Sequence, residues 1–422
     1  MSFFSVIRET FSSRNLTVLT VTQTATMFTA FLWWPYRSLF ILELGATKEL
    51  LGQLLMIETI SQIIFQLPGG ILADRLGRRR IILLSRVIRL GSPLIYLFAT
   101  HWIHIAPGLL LASAGMLGIP AVYALIAESL PAEGRGSGFA AYRMVTMMPM
   151  IVTSLLGGIL MDYFGVLQGV RYVLMASVLV AFFSIFVCWR FLTETLEMAE
   201  PQRSVQEDKP RPKGAIQEFG RMPRDVWVLT AVGAISAFAM RSVWSFMVIY
   251  AVEEVGLSTT QWGLIGTVVS LITTAITIPG GMLADRIGRK PCIIISRVLS
   301  SFSTLGFTFA GDFLQMGAVR ALGGVASGFG GIIMGMQGGP VWQALVADIT
   351  PPEERGRMMG MMGTISGIVS TPASWAGGYM YENISPALPF QASFLLDIAG
   401  TAIFVALFKE HRERVIPEDE SA

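Results

Sequence analysis

Charge is what this chain lacks most. Only 14% of its 422 residues are Asp, Glu, Lys or Arg, against about 25% in soluble proteins, too few to cover a water-facing surface. The formal balance is +2, so no broad basic face is available and nucleic acid is excluded as a partner. Cysteine is nearly absent: Cys188 and Cys292 lie far apart in different apolar segments, with neither zinc-ligand spacing nor a disulfide framework. The three histidines, His101, His104 and His411, form no catalytic constellation. There is no Walker loop, metal motif or nucleophile triad. The chain is therefore not expected to be an enzyme, to hold a cofactor or metal, or to be driven by ATP hydrolysis.

What is present is apolar sequence, 53% hydrophobic residues with a mean hydropathy of +0.60. A bilayer core needs about 20 mostly apolar residues per helix. Stretches of that kind are predicted at 16–40, 51–73, 81–100, 104–127, 138–161, 170–192, 226–250, 261–284, 292–310, 315–346, 358–381 and 388–408. The expected fold class is an all-α membrane protein of twelve transmembrane helices in two pseudo-symmetric six-helix bundles. The tenth span is long enough to tilt or to run past the membrane. Residues 1–192 are read as an N-terminal bundle, 193–225 as a polar, proline-containing cytoplasmic linker, 226–408 as a C-terminal bundle and 409–422 as a tail.

Direction follows from lysine and arginine asymmetry. One set of loops collects Arg75, Arg78, Arg79, Arg80, Arg135, Arg286, Arg289, Lys290, Arg355 and Arg357, and the termini and linker belong to the same side. The opposite loops offer little beyond Lys48 and Arg171. Both termini are expected in the cytoplasm of a protein that crosses the inner or plasma membrane many times. The mixed N-terminal segment is read as retained, lying at the membrane surface.

The halves repeat one another. PGGILADRLGRRR (Pro68 to Arg80) returns as PGGMLADRIGRKP (Pro279 to Pro291), a shift of 211 residues that also carries Gly52 onto Gly263 and Arg86 onto Arg297. ESLPAEGRG (Glu128 to Gly136) returns as DITPPEERG (Asp348 to Gly356), a shift of 220 that also carries Gly157-Gly158 onto Gly377-Gly378. Equivalent helices are six spans apart and so run in the same direction, a parallel repeat about an axis along the membrane normal.

In these residues the chain resembles the major facilitator superfamily, over nearly its whole length. The family signature G-x-x-x-D-R-x-G-R-[RK] stands here as Gly70, Asp74, Arg75, Gly77, Arg78, Arg79, and again as Gly281, Asp285, Arg286, Gly288, Arg289, Lys290. The resemblance implies that Asp74 helps latch the cytoplasmic side shut against the other half, with Asp285 as its counterpart. It also implies that Glu128, Arg135, Asp348 and Arg355 join these charge networks. The drug/proton antiporter subgroup carries Gly-Pro-x-x-Gly-Gly in its fifth helix; here Thr153 to Gly158 lacks the Gly-Pro pair, which leaves antiport direction open.

Charge at bilayer depth costs roughly 2.5–3.5 kcal/mol per residue, so each instance asks for a reason. Glu58 lies about 24 Å up its helix from Asp74, level with Arg37, and the two can pair. Arg241 falls near mid-membrane, and its repeat-equivalent is Ala30, so the architecture does not demand it. The resemblance places the first, fourth, seventh and tenth helices around a central cavity, which makes Arg241 the leading substrate candidate; a structural pair with Glu58 is its plainer reading. Trp33, Trp34 and Tyr36 with Trp244 form either an aromatic wall of that cavity or, above all for Tyr36, part of the interfacial belt. Tyr123, Gln337, Trp342 and Gln343 are further candidates. Arg320 is read as interfacial, about 42 Å of helix from Asp348, and Asp397 as an unusual charge on a peripheral helix.

The function expected is secondary active transport of a small solute by alternating access, coupled to protons, by a monomer surrounded by lipid. Efflux of an amphipathic compound is set beside import or uniport of a metabolite or organic anion, for which Arg241 argues. A non-transporting receptor or scaffold is the reading from another class.

Overall fold

The computed structural model describes residues 13–130, 135–194, 222–330, 339–351 and 354–408, with the side chains at 66–71, 74, 135–136 and 340 also outside the description. Twelve helical spans follow one another among these residues. They are α1 (Arg14–Glu43), α2 (Lys48–Leu76), α3 (Arg78–Leu97), α4 (Trp102–Glu128), α5 (Arg135–Met147 and Met150–Phe164) and α6 (Val166–Phe191). The second six are α7 (Arg224–Glu254), α8 (Thr259–Ile287), α9 (Arg289–Gly306), α10 (Phe313–Gly328 and Pro340–Ile349), α11 (Arg355–Ser370 and Ala373–Asn383) and α12 (Leu388–Leu407). Seven of these stretches are by length and composition alone apolar enough to cross a membrane.

Three helices, α2, α8 and α10, start on polar caps two to three residues ahead of their apolar stretches. Thr47 accepts from the Leu50 N–H, Asp312 from the Gln315 N–H, and Ser258 with Gln261 forms a reciprocal capping box, each occupying amides that a helix start leaves open. Breaks fall where proline or glycine permits them: Pro35 opens the turn that bends α1, and Pro149 separates the two pieces of α5. The tenth span, expected as one long helix, is two: Phe313–Gly328 ends before a positive-φ Gly330, and Pro340 opens the second piece. Gly77 (φ 91°) and Gly288 (φ 101°) make the reversals into α3 and α9, a backbone region that costs glycine little.

The turns at Gly77 and Gly288 and the ends of α4 and α10 lie on one face, here the loop face; the α1–α2, α5–α6, α7–α8 and α11–α12 turns lie on the far face. The cores divide unevenly between them. Near the far face a single cluster takes Tyr36, Phe40 and Leu51 from the first six helices together with Phe246, Trp262 and Phe390 from the second six. Towards the loop face there are two clusters, one around Leu19, Ile82, Leu125 and Cys188 and another around Leu229, Cys292, Trp342 and Phe404. The halves are fused at one end and separately packed at the other, so a cleft opens on the loop face.

Candidate functional site

At the middle of the seam, three expected residues meet. Arg37 and Glu58 form an ion pair (Nη1–Oε2 3.0 Å), both buried, and Gln62 donates to the same carboxylate at 3.3 Å. One residue along α2, the Thr59 hydroxyl accepts from Arg241 Nη1 of α7 at 2.5 Å, a bond from half to half. The Arg37 guanidinium also lies 4.2 Å over the Trp34 ring, a geometry that stabilises a desolvated cation.

The aromatic wall is corrected. Trp33 is buried within the first half, edge-on to Tyr96 (5.7 Å) and Phe40 (6.5 Å), and Trp244 packs against the same far-face core. Tyr36 belongs to no interfacial belt: it is fully buried, and its hydroxyl is placed to donate to Ser154 O (2.6 Å) and to Thr259 O of the other half (3.2 Å). Trp342 packs on Phe404 inside the second half. Tyr123 is 53% exposed beside Phe139, Gln343 is exposed, and Gln337 lies outside the described residues. Arg320 lies towards the far face, but among protein rings rather than at the lipid surface. It is half-buried, with its guanidinium 5.5 Å from the Trp262 ring centre and 6.0 Å from that of Phe307.

The far face is shut by parts that obey the repeat. Asp162, at the end of α5, accepts from the first amides of α8: Thr259 N and Thr260 N at 2.9 Å each, with the Thr259 hydroxyl at 2.5 Å. The equivalent Glu382, at the end of α11, accepts from Lys48 N, the first residue of α2, at 2.9 Å. Each carboxylate thus sits on the positive end of a helix from the opposite half. Lys48 also pairs with Glu253 (3.0 Å), and Glu49 accepts from Asn383 (3.2 Å). Glycines let the backbones close to this distance: a Cβ on Gly158 would collide with Thr259 O, and one on Gly378 with Lys48 O.

The loop face is built differently. Arg78 pairs with Glu128, and its repeat-equivalent Arg289 pairs with Asp348, each within its own half. The next residue in each copy reaches a helix end: Arg79 donates to Trp189 O (2.6 Å), and Lys290 to Val405 O (3.1 Å) and Phe408 O. Glu194 accepts from the Arg78 and Arg79 amides at 3.1 Å each, supplying the cap that Gly77 has no side chain to give. Arg355 donates to Ala347 O (3.0 Å) and Thr350 O (3.3 Å) at the end of α10. Arg75, Asp285 and Arg286 are exposed, Gly281 has open space around it, and the side chains of Gly70, Asp74 and Arg135 fall outside the description. Among the described residues Asp285 makes no ion pair, and no hydrogen bond or ion pair joins the halves near this face. The Asp74 side chain on which the expected latch turns lies outside the described residues.

Sequence reasoning missed Asp162, Glu382 and Glu194. The first two were within reach, since 162 and 382 are 220 apart and 48 and 259 are 211 apart, the two shifts of the repeat. Asp397, noted only as odd, is held by Arg297 (2.9 Å), Ser236 (2.7 Å) and Ser301 (2.8 Å), tying α7, α9 and α12 together beside a cavity of about 30 Å³.

Two six-helix halves, closed together at one face and separate at the other around a polar seam, define a membrane transporter. The family model of the Major Facilitator Superfamily matches residues 19–240 and again 229–421, and the chain belongs to that family. It is 29% identical over 163 residues to the quinolone resistance protein NorA of Staphylococcus aureus, an alignment covering 38% of this chain and 39% of that protein. The chain thus matches about two fifths of the length of that relative. Its fold is similar to the nucleoside transporter NupG (TM-score 0.74, 12% identity, 93% of this chain and 100% of that one). It is also similar to a D-xylose-proton symporter (TM-score 0.70, 18% identity, 94% and 98%).

Proposed function

We propose that the chain exports a small amphipathic solute across the plasma membrane by alternating access, driven by protons. The loop face is cytoplasmic, as its arginines require, and both termini lie there. The moving bodies are residues 1–192 and 226–408, joined by 193–225 and followed by the tail 409–422; they work as a monomer in lipid. The described conformation is then open to the cytoplasm and closed to the outside. One observation carries this reading: among the described residues the seam between the halves is closed at one end only, by parts that follow the repeat.

Glu58 is the coupling group in this scheme. Deprotonated, it holds Arg37; a proton on it would cancel that attraction and free an arginine beside Arg241. The resistance named for the NorA relative supports the outward direction. Residues of the loop copies (Arg78 with Glu128, Arg289 with Asp348) keep each half rigid while the halves rock.

The test is solute flux in proteoliposomes with and without an imposed pH gradient. Flux should follow the gradient, and Glu58→Gln should abolish that dependence while leaving the protein folded. A bismaleimide bridge between Lys48→Cys and Glu253→Cys, which lie opposite each other across the far seam, should stop flux. Unchanged flux in the bridged protein would sink alternating access.

A further inference from the structure

We propose that the cleft between the halves is an anion-binding site, and that the solute of the transport reading, on which this rests, carries a negative charge. The grounds are the charges at membrane depth. Taking residues six or more positions from either end of a span, the described helices hold seven arginines (37, 86, 89, 143, 241, 297 and 320) and two carboxylates, Glu58 and Asp397.

Both carboxylates are already committed. Glu58 is bound to Arg37, and Asp397 to Arg297 with two serine hydroxyls as well. That leaves five arginines without a carboxylate partner. Arg86 donates to Thr22 and Ser184, and Arg241 to Thr59. Arg320 rests on aromatic rings with its Nε hydrogen-bonded to nothing. Arg89 and Arg143 are exposed and make no side-chain hydrogen bond or ion pair among the described residues. Ionisable groups at this depth are expensive and mark function.

The repeat shows that the fold does not need three of them, Arg86 alone answering to another arginine, Arg297. Arg241 answers to Ala30, Arg143 to Gly363 and Arg89 to Ser300 under the same two shifts. Position matters too. The second part of α4 packs on α1, α2, α3 and α5 of its own half, and in this proposal its exposed Tyr123 looks into the cleft. Arg143 stands on the loop-face part of α5, which packs on α1 and α4; an exposed guanidinium at that depth meets the water of the cleft rather than hydrocarbon. A cleft with one sign of charge and low-dielectric walls concentrates the field and draws in the opposite ion. At this depth, among the described residues, a cationic solute would find no free carboxylate; an anionic one would find Arg241 and Arg143.

The test needs no knowledge of the natural solute. Tyr123→Cys is introduced into the full chain, whose own Cys188 and Cys292 are fully buried, and the protein is reconstituted in liposomes. Rates of labelling by sulfonatoethyl methanethiosulfonate (anionic) and trimethylammonioethyl methanethiosulfonate (cationic) are each divided by the rate with a free thiol in solution. The anionic reagent should be favoured tenfold or more. Arg143→Gln with Arg241→Gln should bring the ratio near one, and Arg143→Lys with Arg241→Lys should keep it high. A ratio at or below one in the parent, or one that both glutamines leave untouched, overturns the proposal. Failure here leaves the effect of the Lys48–Glu253 bridge on flux unchanged, so the two readings fall separately.

Discussion

The far face and the loop face both rely on carboxylates, yet they spend them differently. On the far face, Asp162 and Glu382 reach across the seam and seat on backbone amides that begin a helix of the other half. On the loop face, Glu128 and Asp348 stay at home, each on an arginine of its own half. The first arrangement joins two bodies and must be broken for them to part. The second stiffens each body and survives any rocking between them. One protein therefore uses one chemical group both as a clasp and as a brace, and the partner decides which.

The comparison can be broken most severely at the glycines. Gly158→Leu, and equally Gly378→Leu, puts a side chain into the opposing backbone; solute flux in proteoliposomes should disappear, and a bismaleimide bridge between Lys48→Cys and Glu253→Cys should no longer form. Next in size, Asp397→Leu strands the Arg297 guanidinium inside the second half. Loss of one partner of a buried pair costs about 3–5 kcal/mol, so the thermal midpoint should fall by many degrees. Replacing both residues with leucine should recover most of that loss. The first half has no such acid, since Arg86 is held by hydroxyls alone.

The clasp itself is sharpened by Asp162→Asn with Glu382→Gln. Hydrogen bonds to a charged group contribute about 1.5–3 kcal/mol each, so the double variant should move the balance towards the far-open state roughly tenfold or more, read as slower Lys48→Cys–Glu253→Cys bridging. The brace should matter least. Arg78→Gln should slow flux by about threefold to fivefold, as partly exposed pairs are worth up to about 1 kcal/mol. Arg289→Gln should do less: the side chains of the Arg78–Glu128 pair are 13% and 32% exposed, those of Arg289–Asp348 27% and 56%. Equal effects from the two faces would erase the distinction.

Much of the fold was legible because a bilayer makes helix number a matter of counting apolar residues, and because the repeat left two copies of every loop. The Arg37–Glu58 pair could be read from rise per residue, as two charges at one depth. Other features were hidden for stated physical reasons. Counting along α10 from Asp348 could place Arg320 towards the far face but not among its neighbours, because the rings that receive it come from α8 and α9. Trp33 and Tyr36 were misplaced because periodicity does not tell which half a helix face turns towards. Asp162 and Glu382 look like ordinary polar residues at a loop, since their partners are amides, which no sequence spells out.

The amides that Asp162 and Glu382 hold belong to the main chain, so of all side-chain changes at those helix starts only proline deletes them. Inheritable variation in this clasp falls mainly on the acid side, where most single-base changes replace the carboxylate. Lineages adjusting how readily the far face parts would leave most of their record at residues 162 and 382 and little at the helix starts they hold.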